Sequence, residues 1–357
     1  MNQILSPEIS QKIQFSLYRY RFVMTYVIFG GLSILIEIIC FRGLEKVGLT
    51  PALSYAMGLS AGILFAYWMN VRFNFKVPSV KRNRAFLFFV SISLASASVN
   101  YLFRNQLERL GWSYESSRFV VAGCFFFVGY LFHRKYSFAD YKKVGVAVYA
   151  NGVEDIKGIY ERIGAFPDFI HVDIVDSSFG KSDASPASYR LEVVHAYWPT
   201  RPIHLHIMSK TPSLWIRETA RYVDEFFIHI EISEDVNETL SLIRSLGRKA
   251  GICVTMDTPL DRVKPYIHAV DSLMLLTISH PGMSGQAFNL DALDRIKEIN
   301  SWEGRSNITL CVDGGVNEKI IGLLNVENVV SGYSVLNHPC PYRQIMRLQT
   351  SGNYEKV

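Results

Sequence analysis

Four long apolar runs, at residues 22–41, 53–71, 85–103 and 119–132, constrain this 357-residue chain more than any other feature. The first three approach the ~20 residues needed to cross the hydrocarbon core of a bilayer. The fourth is short. As a span it needs Arg118 and Arg134 to extend toward the two interfaces, or a locally thin membrane. The alternative for that run is a buried helix of a soluble domain. Cations bracket the runs unevenly. Lys12, Arg19, Arg21, Arg72, Lys76, Lys81, Arg82, Arg84, Arg134, Lys135, Lys142 and Lys143 fall on one side of a four-span arrangement. Only Arg42, Lys46, Arg104, Arg109 and Arg118 fall on the other. Excess Lys and Arg marks the cytoplasmic side. The expectation is a multi-pass inner-membrane protein, with both termini and everything after residue 143 in the cytoplasm. No small-residue cleavage pattern follows the first run, which predicts a retained membrane domain, not a signal peptide.

Residues 1–143 carry 17 Lys and Arg against 6 Asp and Glu, and the remainder 20 against 26. The split separates a basic half from a mildly acidic, soluble-looking half. Because the cations of the basic half sit at the ends of apolar runs, they read as membrane topology and not as a nucleic-acid surface. The expected partner is therefore the lipid bilayer, with no nucleic acid. Cys40, Cys124, Cys253, Cys311 and Cys340 are odd in number and scattered. They form no disulfide framework and no CxxC zinc pattern, as expected at a reducing cytoplasmic face.

The membrane half contains an internal echo. Its second span ends Tyr67-Trp68-Met69-Asn70-Val71-Arg72-Phe73-Asn74-Phe75, and its fourth ends Tyr130-Leu131-Phe132-His133-Arg134-Lys135-Tyr136-Ser137-Phe138. Both run toward the cation-rich side and finish in aromatic and cationic residues. Two hairpins in the same orientation suggest a parallel repeat; the plainer account is that any inner interface selects such residues. Arg21-Phe22 and the two span ends resemble the GtrA-like family of four-span proteins, over roughly residues 16–140. That resemblance implies a role in moving or presenting polyprenyl-phosphate-linked sugars for surface polysaccharides. Arg72, Arg134 and Lys135 are the candidate patch for a lipid phosphate; a plain anchor is the other reading. Glu37, inside the first span, is either a functional intramembrane carboxylate or one that reaches the outer interface or pairs with Arg42.

From residue 144 the pattern changes to short β-rich runs at 144–150, 169–175, 202–208, 226–232, 250–256, 273–279, 308–312 and 329–336. Segments such as 152–163 and 290–300 have room for helices. Eight alternating units predict a (β/α)₈ barrel over residues 144–357, joined to a four-span membrane domain over residues 1–143. An open doubly wound sheet is the rival, but no GxGxxG stands at a strand end. Catalytic residues of such barrels sit at the C-terminal ends of strands. His171 and Asp173 share one side of the second strand, and His204 and His206 one side of the third. Asp313-Gly314-Gly315 ends the seventh. Imidazoles and carboxylates converging on one barrel mouth predict a metal site.

His171-Val172-Asp173-Ile174-Val175-Asp176, His206-Ile207-Met208, His229-Ile230-Glu231, Thr258-Pro259-Leu260, His280-Pro281-Gly282-Met283-Ser284-Gly285-Gln286 and Val312-Asp313-Gly314-Gly315-Val316 occur in this order. Together they resemble the ribulose-phosphate 3-epimerases, over about residues 144–340. The resemblance implies that His171, Asp173, His206 and Asp313 bind one divalent metal ion, with Asp173 and Asp313 as the acid/base pair. Such a donor set accepts zinc, iron, manganese or cobalt. Epimerisation beside a ketone removes a proton from one face and returns one to the other, so two carboxylates from different strands suit it. Substrate is expected to meet Met208, the loop Gly282, Met283, Ser284 and Gly285, and the turns Gly314, Gly315, Gly332 and Tyr333. Backbone amides of these Gly-rich turns are the expected grip on a phosphate.

The chain departs from the family at several positions. Val146 stands at the expected place of a substrate-touching serine, and Val175 and Thr277 at those of two capping methionines. Ser284 replaces a glycine, and Tyr333 replaces the serine of a Gly-Ser pair. Residues 177–189 lack the usual Asn-Leu and Gly-Pro pattern. The expected function is thus a membrane-anchored, metal-dependent sugar-phosphate 3-epimerase whose substrate need not be ribulose 5-phosphate. The alternative is a flippase or presenter of a polyprenyl-phosphate sugar, whose barrel epimerises or senses the head group. These features leave open whether the chain forms a homo-oligomer.

Overall fold

A computed structural model describes residues 20–139, 141–148, 155–179 and 190–351. They fall into two compact units that divide between Tyr141 and Lys142.

The first unit is all-helical: α1 (Arg21–Lys46), α2 (Pro51–Met69), α3 (Arg82–Arg109) and α4 (Tyr114–Phe132). All four are long and apolar enough to cross a bilayer, α2 and α4 by continuing to Asn74 and Ser137. The fourth span is longer than its apolar run. Ser113 caps it, its Oγ accepting from Ser116 N at 3.2 Å, and the helix takes in the polar first turn that hydropathy alone discounts. Arg118 then lies within the helix and not at its end. It turns inward and pairs with Glu37 at 2.8 Å. Arg42, a candidate partner for Glu37, instead pairs with Glu115 at 2.7 Å and Glu45 at 3.2 Å.

α2 lies against α1 through Ser54, Gly58 and Gly62, which are buried at a four-residue spacing. A Cβ on Gly58 would stand 2.7 Å from Glu37 O, and one on Gly62 2.9 Å from Ser33 O. Small residues at this spacing let two backbones approach closely, which lipid by itself does not drive. The echo in the sequence has a structural counterpart. α2 and α4 each run into a π-helical turn, Asn70–Asn74 and His133–Ser137. Each turn has a side-chain hydrogen bond across four residues, Asn74 Nδ2 to Asn70 Oδ1 at 2.9 Å and His133 Nδ1 with Ser137 Oγ at 3.0 Å. Each is followed by a phenylalanine, and Phe75 and Phe138 stack with centroids 4.4 Å apart. The two helix ends therefore lie at the same end of the unit, as a parallel repeat requires.

The second unit is a closed barrel of eight strands in sequence order: β1 (Lys143–Val148), β2 (Phe169–Val175), β3 (Ile203–Met208), β4 (Glu225–His229), β5 (Lys249–Val254), β6 (Ser272–Leu276), β7 (Thr309–Asp313) and β8 (Asn328–Val330). Every neighbouring pair is parallel, including β1 with β8. Between them run α5 (Ile156–Ile163), α6 (Leu191–Tyr197), α7 (Pro212–Thr219), α8 (Val236–Ser245) and α9 (Ala292–Asn300); α10 (Tyr333–Leu336) and α11 (Pro341–Thr350) follow β8. After β5 and β7 only 3₁₀ turns stand where full helices were expected. The sequence reads 329–336 as one strand. β8 ends at Val330 and Tyr333–Leu336 is helical, with Ser331 and Gly332 as the break between them, a punctuation that so short a segment does not separate from a strand.

Alternation divides the barrel side chains into two layers. Val144, Val146, Val148, Ile170, Val172 and Ile174 pack outward against the helices. Ala147, Phe169, Phe227, Cys253, Met274, Leu276, Cys311 and Val330 fill the interior. Both strand faces are thus apolar, the pattern of a parallel sheet covered on both sides.

Candidate active site

β2 and β3 pair in register, so that Asp173 lies beside His206 and His171 beside His204. His171 and Asp173 on β2 and His206 on β3 point inward, and Asp313 ends β7. One ligand atom from each of His171, Asp173, His206 and Asp313 lies within 4.8 Å of the others. His206 Nδ1 is 3.0 Å from Asp173 Oδ1 and 3.8 Å from Asp313 Oδ2. His171 Nε2 is 3.3 Å from Asp173 Oδ1 and 3.9 Å from Asp313 Oδ2. Both histidines are fully buried; among the described residues His171 Nδ1 has no hydrogen-bond partner, while its Nε2 faces the carboxylates of Asp173 and Asp313. A buried imidazole nitrogen without a partner is costly. Two nitrogens and two carboxylates facing one centre form a donor set that fits a divalent cation.

The two carboxylates differ in proton affinity. Burial raises that of Asp173, but His171 and His206 beside it outweigh burial and hold the group below the ordinary range. Burial, and next the charge of Asp173, push Asp313 up to about 6. Burial opposes a charge on His171, yet Asp173 and Asp313 hold its pKa above the usual value. Two close carboxylates that titrate apart can serve as a proton acceptor and a proton donor at one pH.

Above this cluster opens a cavity of about 740 Å³. Met208, Gly282, Met283, Ser284, Gly285, Gly314, Gly315, Gly332 and Tyr333 all line it, together with Asp173 and Asp313. Gln286 shapes the loop of residues 282–285: its Nε2 donates to His280 O and Met283 O, each at 2.7 Å, and its Oε1 accepts from His280 N at 3.0 Å. Gly315 has φ 67°, and a Cβ there would stand 2.4 Å from Phe288 N, so the turn admits only glycine. A Cβ on Gly285 would stand 3.2 Å from the Tyr333 ring, which is 58% exposed and leans over the loop.

Three positions differ from the sequence reading. Val146 packs outward, and Ala147 takes the inward place on β1 that lines the cavity; a one-residue register difference exchanges the two faces of a strand. Either residue lacks a hydroxyl. Thr277 does not line the cavity. Its Oγ1 donates to Asp313 O at 2.9 Å and Gly314 O at 2.6 Å, while Ile278 faces the cavity. His204 stands apart from the cluster. It stacks on Phe169 at 4.2 Å, with Nε2 3.3 Å from Glu225 Oε2. Burial holds His204 well below and Glu225 above their ordinary values. Residues 180–189, part of the segment with a missing family pattern, lie outside the described residues.

Sequence reasoning gave no role to Asp155 and Arg162, which line the same cavity. A helix N-cap and a lone arginine carry no pattern that distinguishes them. It likewise left His229 and Glu231 without a role. His206 Nε2 is 2.9 Å from His229 Nε2, and His229 Nδ1 is 3.1 Å from Glu231 Oε2. The alternation His229-Ile230-Glu231 was the signal: it sets both side chains on one face of the chain.

The helical unit has its own cavity, about 430 Å³, lined by Glu37, Asn70, Asn100, Arg118 and His133 among apolar residues. Arg134 lies 4.4 Å from the centroid of Phe22 and 4.1 Å from that of Tyr141. Lys135 sits over Tyr136, and Arg72 over Phe73 and Trp68. The three candidate lipid-phosphate cations thus each stand against aromatic faces, an arrangement favoured at membrane interfaces.

Sequence models of two families match the chain. That of the ribulose-phosphate 3-epimerase family matches residues 147–336, and that of the GtrA/DPMS transmembrane domain matches residues 25–138. The ribulose-phosphate 3-epimerase of Bacillus subtilis (strain 168) is 29% identical over 193 residues, covering 52% of this chain and 81% of that protein. That of Escherichia coli (strain K12) is 28% identical over 192 residues, covering 52% and 84%. That of Buchnera aphidicola is 30% identical over 181 residues, covering 50% and 74%.

Proposed function

The chain belongs to the ribulose-phosphate 3-epimerase family, and on that premise we propose that its barrel epimerises the carbon beside the ketone of a phosphorylated sugar, tethered to the membrane by its GtrA-like helices. The observation that carries this reading is the pair Asp173 and Asp313. The two come from β2 and β7, line one cavity, and hold protons with different affinity. Asp173, the stronger acid, is the carboxylate ready to accept the carbon-bound proton from one face of the substrate. Its electron pair forms the new O–H bond, and the electrons of the broken C–H bond pass into an enediolate. Asp313, the weaker acid, would return a proton to the same carbon from the other face. The reverse reaction exchanges the two roles.

His171, Asp173, His206 and Asp313 would hold the divalent cation. When bound, it supplies Lewis-acid stabilisation of negative charge on the substrate oxygens. Met208 and Ile278 present apolar surface to the planar intermediate. The loop of residues 282–285 and the turns at Gly314, Gly315 and Gly332 offer backbone amides for the phosphate. Proton exchange tests the proposal. In deuterated water the full chain should incorporate deuterium at the sugar C3 of ribulose 5-phosphate or a related ketose phosphate. No exchange with any ketose phosphate or lipid-linked sugar would overturn it.

The cation asymmetry of the sequence supports a topology with both termini and the barrel in the cytoplasm. A second reading has one observation in its favour, the cavity with Glu37, Asn100 and Arg118 inside the helical unit. Such a cavity suits a four-helix unit that moves or presents a polyprenyl-phosphate sugar, with the barrel acting on its head group. Proteoliposomes carrying labelled polyprenyl-phosphate sugar separate the two readings: accelerated flip-flop supports transport, and flip-flop at the protein-free rate supports an anchor.

A further inference from the structure

The motif His229-Ile230-Glu231 is not used by the reaction just described, yet His229 faces His206 of the cluster and Glu231 faces His229. From the geometry we infer that Glu231 is a positioning residue: acting through His229, it fixes the tautomer of His206 and so prepares His206 Nδ1 as a cation ligand. The inference rests on the proposed cation site.

His206 turns its two nitrogens in different directions. Nδ1 faces the carboxylates of Asp173 and Asp313, at 3.0 Å and 3.8 Å. Nε2 faces His229 Nε2 at 2.9 Å. Only Nδ1 is therefore turned toward the other three candidate ligands. A nitrogen that donates its lone pair to a cation carries no proton, and a neutral imidazole then carries its proton on the other nitrogen. His206 Nε2 must accordingly be the N–H, and His229 Nε2 must accept. His229 in turn carries its proton on Nδ1, which donates to Glu231 Oε2 at 3.1 Å. Glu231, as a carboxylate, only accepts. Its other oxygen, Oε1, accepts the hydroxyl of Thr258, whose carbonyl accepts from Arg295 Nη2 at 2.6 Å. The chain of donors runs in one direction and ends on a carboxylate. His206 and His229 are fully buried, so bulk water has no route to supply a substitute acceptor.

Among the described residues, Cys253 offers a second candidate set. Its ligand atom and those of His206 and His229 lie within 4.8 Å of one another. The two histidine nitrogens of that set already face each other at hydrogen-bond distance, whereas His171 Nε2 faces only the carboxylates of Asp173 and Asp313. These contacts favour a cation among His171, Asp173, His206 and Asp313.

The test is a Co²⁺ titration of the metal-free full chain in detergent, followed by visible absorption, with ¹⁵N-histidine spectra of the Zn²⁺-loaded protein. Glu231→Gln should bind Co²⁺ about 10–100-fold more weakly, the usual effect of removing an outer partner of a ligand. Glu231→Asp, which keeps a terminal carboxylate, should recover part of that loss. In the Zn²⁺-loaded wild type, His229 should be protonated on Nδ1 and His206 on Nε2, a signature that a merely structural role would leave free to vary. Unchanged Co²⁺ affinity in Glu231→Gln, or His229 protonated on Nε2 in the loaded wild type, would overturn the inference while leaving the cation site standing. A sulfur-to-cobalt charge-transfer band would move the ion to the Cys253 set and also overturn it. A wild-type chain that binds no Co²⁺ or Zn²⁺ would overturn the cation site itself.

Discussion

Arg118 grips Glu37 with both ends of its guanidinium, Nε to Oε1 at 2.9 Å and Nη2 to Oε2 at 2.8 Å. Tyr114 adds its hydroxyl to Oε1 at 3.1 Å. The pair joins α1 to α4, and Glu37 is buried. Removing one partner of a buried pair leaves an uncompensated charge, at a cost of about 3–5 kcal/mol. Arg118→Met should therefore destabilise the helical unit strongly, and Arg118→Met with Glu37→Gln should recover much of the loss. Thermal unfolding in detergent reads both. Equal losses in the single and double variants would mean that the pair contributes packing alone.

The reaction centre makes a second prediction. Asp173→Asn and Asp313→Asn each replace a proton carrier by a group that carries none at neutral pH. Either should lower C3 proton exchange by about 10²–10⁴-fold. The two differ in detail if their roles are as assigned. Substrate deuterated at C3 should show the loss of its label most strongly suppressed in Asp173→Asn. Deuterium uptake from solvent by the opposite epimer should be most strongly suppressed in Asp313→Asn. Identical profiles for both substrates in both variants would sink the division of labour.

Much of this centre was legible because chemistry-bearing residues occur in alternating pairs at strand ends. His171 with Asp173, and Asp313 before two glycines, needed only the period of a strand to be set facing one mouth. His204 and His206 show the limit of that signal. Period two puts both inside, but only depth along the barrel axis decides which reaches the mouth and which meets Glu225 at 3.3 Å. Val146 and Ala147 show another limit, since a one-residue difference in counting back from β2 across the segment after β1 reverses the faces of β1. The pairing of Glu37 with Arg118 was hidden for a different reason. It spans 81 positions of sequence, and the first turn of α4, with Glu115 and two serines, lies outside the apolar run 119–132.

Stability should depend on pH through Asp313. Burial and Asp173 raise its pKa to about 6 in the folded, metal-free chain, above the ordinary carboxylate value near 3.9. A folded pKa above the unfolded one contributes stability that is fully present below the unfolded value and is lost as pH rises through the folded value. Between about pH 4 and pH 6 the metal-free barrel should lose this contribution. Asp313→Asn has no such proton to lose. It should therefore unfold at a higher temperature than wild type above about pH 6, with the advantage shrinking toward pH 4. Added divalent cation should reverse the order at neutral pH by stabilising only the wild type. A variant equally displaced from wild type at every pH, with and without cation, would remove the strained carboxylate from the account.

Tyr333 should decide which phosphate the barrel accepts. Its ring leans on Gly285, where an added Cβ would stand 3.2 Å from it, and it lines the cavity beside Ser284 and Gly332. The family position holds a serine, which is smaller by an entire aromatic ring. A ring in that place narrows the space for a small monoester and offers an apolar face and a phenol to something larger. Tyr333→Ser should therefore lower KM for ribulose 5-phosphate several-fold, with kcat changed little, because the proton carriers Asp173 and Asp313 are untouched. A phosphodiester- or lipid-linked sugar should respond in the opposite sense and lose affinity, since the ring is then a contact and no longer an obstacle. Steady-state kinetics on both substrate classes separate the cases. If the substitution leaves both KM values unchanged, the ring does not touch the phosphate group, and substrate choice must lie elsewhere along the loop of residues 282–285.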